Sequence, residues 1–138
     1  MLPKKSCYQT RATAVGGRIG GAASADGRLR VRLDDPADGS GKGTNPEQLF
    51  AAAYAACFLS AIRKVADGQG IVVAPDANVT ADVVLGDGEG AAALGITLSV
   101  DLAGLDEGTA ERLAAAAHDL CPYSKAIRGD AQVDIRIA

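Results

Sequence analysis

Hydrophobic and polar positions divide the chain into short alternating runs and two longer helical ones. Residues 8–15 (YQTRATAV) alternate and are rich in Thr and Val, which predicts a half-exposed strand. Gly16 and Gly17 then predict a tight hairpin, and Asp26-Gly27 a second one. Residues 28–33 (RLRVRL) read as a strand with Leu29, Val31 and Leu33 on one face and three arginines on the other. Residues 34–44 carry the Pro, Gly and Ser of a loop. Residues 78–85 and 94–102 are two further alternating strands, joined through Gly86-Asp87-Gly88-Glu89-Gly90, a connection whose glycines predict mobility. Residues 106–120 predict a helix with Leu105, Ala110, Leu113, Ala117 and Leu120 on one face and Glu107, Glu111 and Arg112 outside. Pro122 cannot continue that helix, but it can open a short second one with Cys121 at its cap. Residues 132–137 close the chain as an alternating strand.

The longest run is different in kind. Residues 43–66 (GTNPEQLFAAAYAACFLSAIRKVA) begin with Asn45, a good N-cap, and Pro46, suited to the first helical position. Gln48 can reach back as in a capping box. Between Leu49 and Ile62 there is no charge for nearly four turns. A surface helix would show one apolar stripe, whereas this one is apolar on every side and is expected to be buried all round. The order is therefore β-β-β-α-β-β-α-β, an α+β protein with antiparallel hairpins. At 138 residues the whole of 1–138 is expected to be one domain.

Composition narrows the function classes. A net charge of −3 gives no basic footprint, and aromatics at 4% offer few stacking platforms, so nucleic acid is an unfavoured partner. No uninterrupted apolar run reaches the 18–20 or so residues of a membrane span, so no membrane association is expected. The start, MLPKKSCYQT, has basic residues but no apolar core after them, so no signal peptide is expected and the protein reads as cytoplasmic. In that compartment the three cysteines read as reduced thiols or redox groups. The single histidine, His118, leaves too few ligands for common metal sites and reads as a packing or surface residue, so neither a metal nor a cofactor is expected.

Cys57 sits in the middle of the apolar run, where a cysteine usually behaves as a small hydrophobe. Cys121 falls where one helix ends and a proline opens the next turn, so N–H groups and a helix dipole can act on its sulfur. A buried thiol and an activated thiol are compatible with a dithiol–disulfide pair, though spacing alone does not establish one.

Three segments carry a resemblance. GTNPEQLFAAAYAACF around Cys57, CPYSKAIRG around Cys121 and AVGGRIG around Arg18 together resemble the organic hydroperoxide resistance branch of the Ohr/OsmC family, over almost the whole chain and in the same element order. The resemblance implies an OsmC-like fold and an intertwined homodimer. It implies a cysteine peroxidase that reduces organic hydroperoxides, with Cys57 as peroxidatic thiol, Cys121 as resolving thiol, Arg18 as activating cation and Glu47 as the carboxylate that holds the arginine. It also implies a dithiol reductant, a lipoyl group on a carrier protein. Lys125, Ile127 and Asp130 depart from the Asn, Thr and Asn of the family pattern, all near the resolving cysteine. Cys7 lies outside both motifs and is assigned no role.

Physical chemistry sets requirements for that reading. A cysteine of pKa about 8.5 is only roughly 3% thiolate at pH 7, and burial lowers that fraction further. A cation must restore it; a shift of about 3 units corresponds to about 4 kcal/mol. The guanidinium of Arg18, just after a Gly-Gly turn, suits the task better than the arginines of the wet strand face. Glu47 lies ten residues before Cys57, about 15 Å along a straight helix, so one arginine does not easily touch both. Arg18 and Glu47 of one subunit are therefore expected to complete the site around Cys57 of the other. Leu49, Phe50, Phe58, Tyr123 and Ile127 are the expected lining of an apolar substrate pocket, and serve equally well as core. The competing readings are an OsmC-type peroxidase with a different substrate preference, and a non-catalytic stress-related dimer whose Cys57–Cys121 disulfide is structural.

Overall fold

The computed structural model describes residues 3–38 and 41–138. Residues 1 and 2 of the expected leaderless start, and 39 and 40 of the expected loop, lie outside the described residues. The order is β1 (Ala12–Val15), β2 (Gly20–Ser24), β3 (Arg30–Leu33), a 3₁₀ turn at Pro36–Asp38, α1 (Pro46–Gly68), β4 (Asn78–Asp87), β5 (Ala92–Asp101), α2 (Glu107–Leu120), α3 (Pro122–Ile127) and β6 (Gln132–Ile137). This is an α+β fold with two three-stranded sheets, β1-β2-β3 and β4-β5-β6. By its internal contacts the chain forms two compact units, Met1–Pro46 and Glu47–Ala138. The reason is that the first sheet pairs only within itself, as two antiparallel hairpins.

In the first unit β1 starts four residues later than its pattern predicts: its ladder with β2 begins at Ala12 opposite Ser24, and one bond further on, Ala25 N–H to the Arg11 carbonyl at 3.0 Å, the chain enters the Asp26-Gly27 turn. The β1–β2 turn runs through Gly16 and Gly17, both at positive φ (83° and 64°), and carries Arg18. A Cβ at Gly20 would overlap the Val15 carbonyl oxygen, so this turn requires glycine there. β3 is shorter than expected because Arg28 and Leu29 belong to the preceding loop. There the Asp26 carboxylate accepts from Arg28 N–H at 3.0 Å and the Ser24 hydroxyl from Leu29 N–H at 3.0 Å. Leu29 is accordingly exposed, and Leu33 is the unit's one buried side chain among the described residues.

In the second unit β5 is the central strand. Ile96, Leu98 and Val100 alternate onto the buried face, each at most 3% exposed. β4 pairs antiparallel with it through a four-residue connection closed by Gly88 N–H donating to the Ala91 carbonyl at 2.9 Å, so Gly86 and Asp87 belong to the strand rather than to a glycine loop. β6 pairs parallel to β5, a pairing beyond the antiparallel hairpins that the sequence predicts. The chain returns from β5 through α2 and α3, and a helical crossover brings the next strand back in the same direction.

α1 also differs from expectation. Its 23 residues, with mean hydropathy 1.5 over an 18-residue window, are long and apolar enough to cross a membrane by length and composition. Tyr54, Phe58, Ala61, Ile62 and Ala66 instead join the core cluster with β5 and α2, as in a core helix. The burial is one-sided. Gln48, Ala52, Ala56, Ser60 and Lys64, four residues apart, are exposed in the single chain. The run lacks charge, but its outer stripe is made of small residues, whose burial contributes little. On α2 the buried face is Ala110, Leu113, Ala114 and Ala117; Leu120, placed on that face by spacing, is 44% exposed because the helix ends there.

Candidate active site

Cys57 lies on the flank of α1, half-buried, between the core face and the small-residue stripe. Cys121 is fully buried at the joint between α2 and α3. Its N–H donates to the Ala117 carbonyl at 2.7 Å, closing α2, and its own carbonyl accepts from Lys125 N–H at 3.0 Å, opening α3. Its backbone is extended (φ −63°, ψ 123°), and Pro122 takes the first position of α3, as the sequence predicts. With backbone bonds made on both sides, the Cys121 side chain has a fixed origin.

The two sulfurs are 3.6 Å apart, in hydrogen-bonding contact, and both are free thiols. A disulfide bond is about 2.04 Å long, so closing the gap needs a displacement of about 1.6 Å, within the reach of side-chain rotation and a small backbone adjustment. Burial pushes the Cys57 thiol above its ordinary range, and the neighbouring Cys121 sulfur adds to this, while the Tyr123 backbone N–H acts the other way. Left to these groups, the sulfur is a poor nucleophile at neutral pH.

Around the pair is an aromatic cluster centred on Tyr54. Phe50 meets it edge-on at 5.9 Å between ring centroids, Phe58 at 6.4 Å, and Tyr123 tilted at 6.2 Å. Of the expected pocket residues, Leu49, Phe50 and Ile127 are half-buried and Tyr123 is 40% exposed. Phe58 has no exposed surface and belongs to the core, because its position on α1 falls on the face turned to β5 and α2. Glu47 is in the first turn of α1. Since that helix is continuous, it stands about 15 Å along the axis from Cys57. Arg18 is in the first unit, on the β1–β2 turn.

Sequence gives no role at this site to three residues that the structure places beside it. Tyr54, with Phe50 and Phe58, was detectable as an aromatic repeat every four residues on α1. Ser124 and His118 have no such signal. The Ser124 hydroxyl is fully buried, 2.6 Å from the Tyr54 hydroxyl and 2.9 Å from His118 Nδ1. Among the described residues no three His, Cys, Asp or Glu side chains converge into a metal-binding group.

A half-buried helical thiol facing a buried thiol at a helix–helix joint, on this α+β frame, defines a dithiol domain. The chain belongs to the OsmC-like family, whose pattern it matches over residues 39–136, and within it to the organic hydroperoxide resistance branch. It is 38% identical over 139 residues to the organic hydroperoxide resistance protein of Xanthomonas axonopodis pv. citri, covering 99% of this chain and 98% of that one. Among solved structures it is similar to OhrB of Bacillus subtilis, with a TM-score of 0.90 and 42% identity, covering 96% of this chain and 100% of that one. An organic hydroperoxide resistance protein from Legionella pneumophila gives a TM-score of 0.89 and 45% identity, covering 97% and 99%. The fold and branch implied by the three sequence motifs are those found.

Proposed function

We propose that the protein is a cysteine peroxidase that reduces organic hydroperoxides to alcohols and is recycled by a dithiol. The observation that carries this reading is the 3.6 Å separation of Cys57 and Cys121 sulfurs. The Cys57 thiolate attacks the terminal oxygen of ROOH; the O–O bond breaks, RO⁻ leaves and takes a proton as ROH, and Cys57 becomes a sulfenic acid. The Cys121 sulfur then attacks the Cys57 sulfur. The S–O bond breaks, hydroxide leaves with the Cys121 proton as water, and a disulfide forms. An external dithiol supplies two electrons and two protons to return both thiols; the lipoyl group of a carrier protein is the reductant the family resemblance favours.

Ionisation of Cys57 falls to Arg18, with Glu47 orienting its guanidinium. The 15 Å or so between Glu47 and Cys57 favours a site completed across a homodimer. Two features support a second copy as partner. Among the described residues the first unit buries only Leu33 while Tyr8, Val15 and Ile19 stay exposed, and α1 leaves Ala52, Ala56 and Ser60 open. Leu49, Phe50, Tyr123 and Ile127 supply an apolar wall that favours alkyl or lipid hydroperoxides over hydrogen peroxide. Composition and charge suit a cytoplasmic enzyme.

Stopped-flow oxidation of the reduced protein by cumene hydroperoxide and by hydrogen peroxide tests this. A fast reaction with the organic peroxide, slower with hydrogen peroxide and abolished in Cys57→Ser, is expected. A Cys57–Cys121 bond that resists mild dithiols and forms without peroxide consumption would make it a structural crosslink and end the proposal.

A further inference from the structure

The peroxidase chemistry leaves a buried polar chain unused. Tyr54, fully buried on α1, stands three residues before Cys57; Ser124, fully buried on α3, stands three residues after Cys121; His118, on α2, stands three residues before Cys121. Their polar atoms form one chain across all three helices, Tyr54 Oη to Ser124 Oγ at 2.6 Å and Ser124 Oγ to His118 Nδ1 at 2.9 Å. The backbone of His118 is tied as well, its carbonyl accepting from the Arg128 guanidinium at 2.9 Å.

From this geometry we infer that His118 is a positioning residue for the resolving thiol, acting through Ser124 and Tyr54 to hold the start of α3 against the Cys57 turn of α1. The inference rests on the dithiol reading of Cys57 and Cys121. Hydrogen counting gives the chain a direction. With a bare Nδ1, Tyr54 donates to Ser124 and Ser124 donates to His118, so each hydroxyl hydrogen has an acceptor. With Nδ1 protonated, both ends of the chain bring a hydrogen to Ser124, and one buried hydroxyl hydrogen loses its acceptor. Neutral His118 thus closes the clamp and the imidazolium loosens it.

The groups acting on this chain agree with a neutral resting state. Burial pushes the imidazole below its ordinary range and the Arg128 charge adds to this, while Asp119 on the same helix opposes it. On the α1 side the facing group is Tyr54, whose phenol burial pushes up, with charge on Cys121 and Cys57 adding to that and the Ser124 bond opposing it. Tyr54, the α1 end of the chain, thus feels charge on both sulfurs.

The test separates the two steps. After one equivalent of cumene hydroperoxide, loss of the Cys57 thiol and loss of the sulfenic acid are followed separately, from pH 5 to 8. Wild-type protein is expected to resolve more slowly as pH falls through the His118 titration. Tyr54→Phe and His118→Ala should slow resolution about tenfold at neutral pH, as loss of one buried hydrogen bond implies, and His118→Ala should leave the first step unchanged. His118→Asn, whose amide oxygen can accept from Ser124, should restore the neutral-pH rate and remove the part of the pH profile that follows the imidazole. Equal resolution rates and pH profiles in all four proteins would overturn the inference. Diamide-driven formation of the Cys57–Cys121 disulfide, run on the same set, makes the outcome independent of peroxidase activity. If hydroperoxide fails to oxidise wild-type Cys57, the functional reading falls, and the diamide rates still decide whether the clamp exists.

Discussion

Replacing Cys121 by serine removes the attacking sulfur and leaves an isosteric hydroxyl at the α2–α3 joint. In the wild-type protein the two sulfurs are already in contact at 3.6 Å, and the Cys121 backbone is anchored by the bonds to Ala117 and from Lys125. Well-oriented intramolecular reactions reach effective concentrations of roughly 10⁵–10⁸ M. Suppose Cys121 acts at only about 10 M, far below that range, to allow for the 1.6 Å or so of closure. It then outcompetes about 1 mM of an external monothiol by about 10⁴ at equal intrinsic reactivity. Wild-type protein treated with one equivalent of cumene hydroperoxide should show no sulfenic acid trappable by dimedone on a timescale of seconds. Cys121→Ser should turn over once, lose the Cys57 thiol at the wild-type rate, and retain a trappable sulfenic acid until external thiol removes it. Intact-mass spectrometry of quenched samples measures both species. Equal sulfenic acid lifetimes in the two proteins would refute the reasoning, because a sulfur at this distance would then not be the resolving group.

Three further predictions test other parts of the structure. Arg18→Ala should slow the first oxidation step and raise the Cys57 pKa, read from the pH dependence of iodoacetamide alkylation. Leu98→Ala, at a fully buried position in the central strand, should cost about 3 kcal/mol in urea denaturation. Asp106 caps α2, accepting from Thr109 N–H at 2.9 Å and from the Thr109 hydroxyl at 2.8 Å, and these bonds hold its carboxyl below the ordinary range. Because the folded pKa is the lower one, that stabilisation is present at neutral pH and is lost as pH falls through it; the difference in Tm between wild type and Asp106→Ala should narrow in strong acid.

The parts of the fold legible in sequence are those set by local chemistry. Asn45-Pro46 marks the start of α1, Cys121-Pro122 marks the joint that fixes one thiol, and the alternation of residues 132–137 gives β6 its bounds. Strand direction was not legible, because a period of two reads the same in both directions; only the helical return through α2 and α3 makes β6 parallel. One-sided burial of α1 in the single chain was hidden because alanine counts as apolar in a pattern yet loses little when exposed. Of the site, both sulfurs were legible from their motifs, but the polar chain was not. Ser124 and His118 are six residues apart on different helices and meet Tyr54 from as far as 70 positions away in sequence. Nothing in periodicity or composition brings such partners together.

The same burial that protects Cys57 makes an external cation necessary. Within Glu47–Ala138 burial and the second sulfur both favour the neutral thiol, and a single backbone N–H opposes them. The guanidiniums near these helices are committed elsewhere. Arg63 donates to the Val73 and Ala74 carbonyls, Arg112 to Thr109, and Arg128 to the His118 carbonyl beside Asp119. Lys64, Lys125 and Arg136 are exposed. The proposed function assigns the activating charge to Arg18, of this chain or of a second copy, on the turn that requires glycine at position 20. Mixing Arg18→Ala with Cys57→Ser subunits distinguishes these routes. Recovery of activity in the mixed dimer is expected if the guanidinium acts across the interface, because one site then pairs an intact Arg18 with an intact Cys57; no recovery assigns the charge to the same chain.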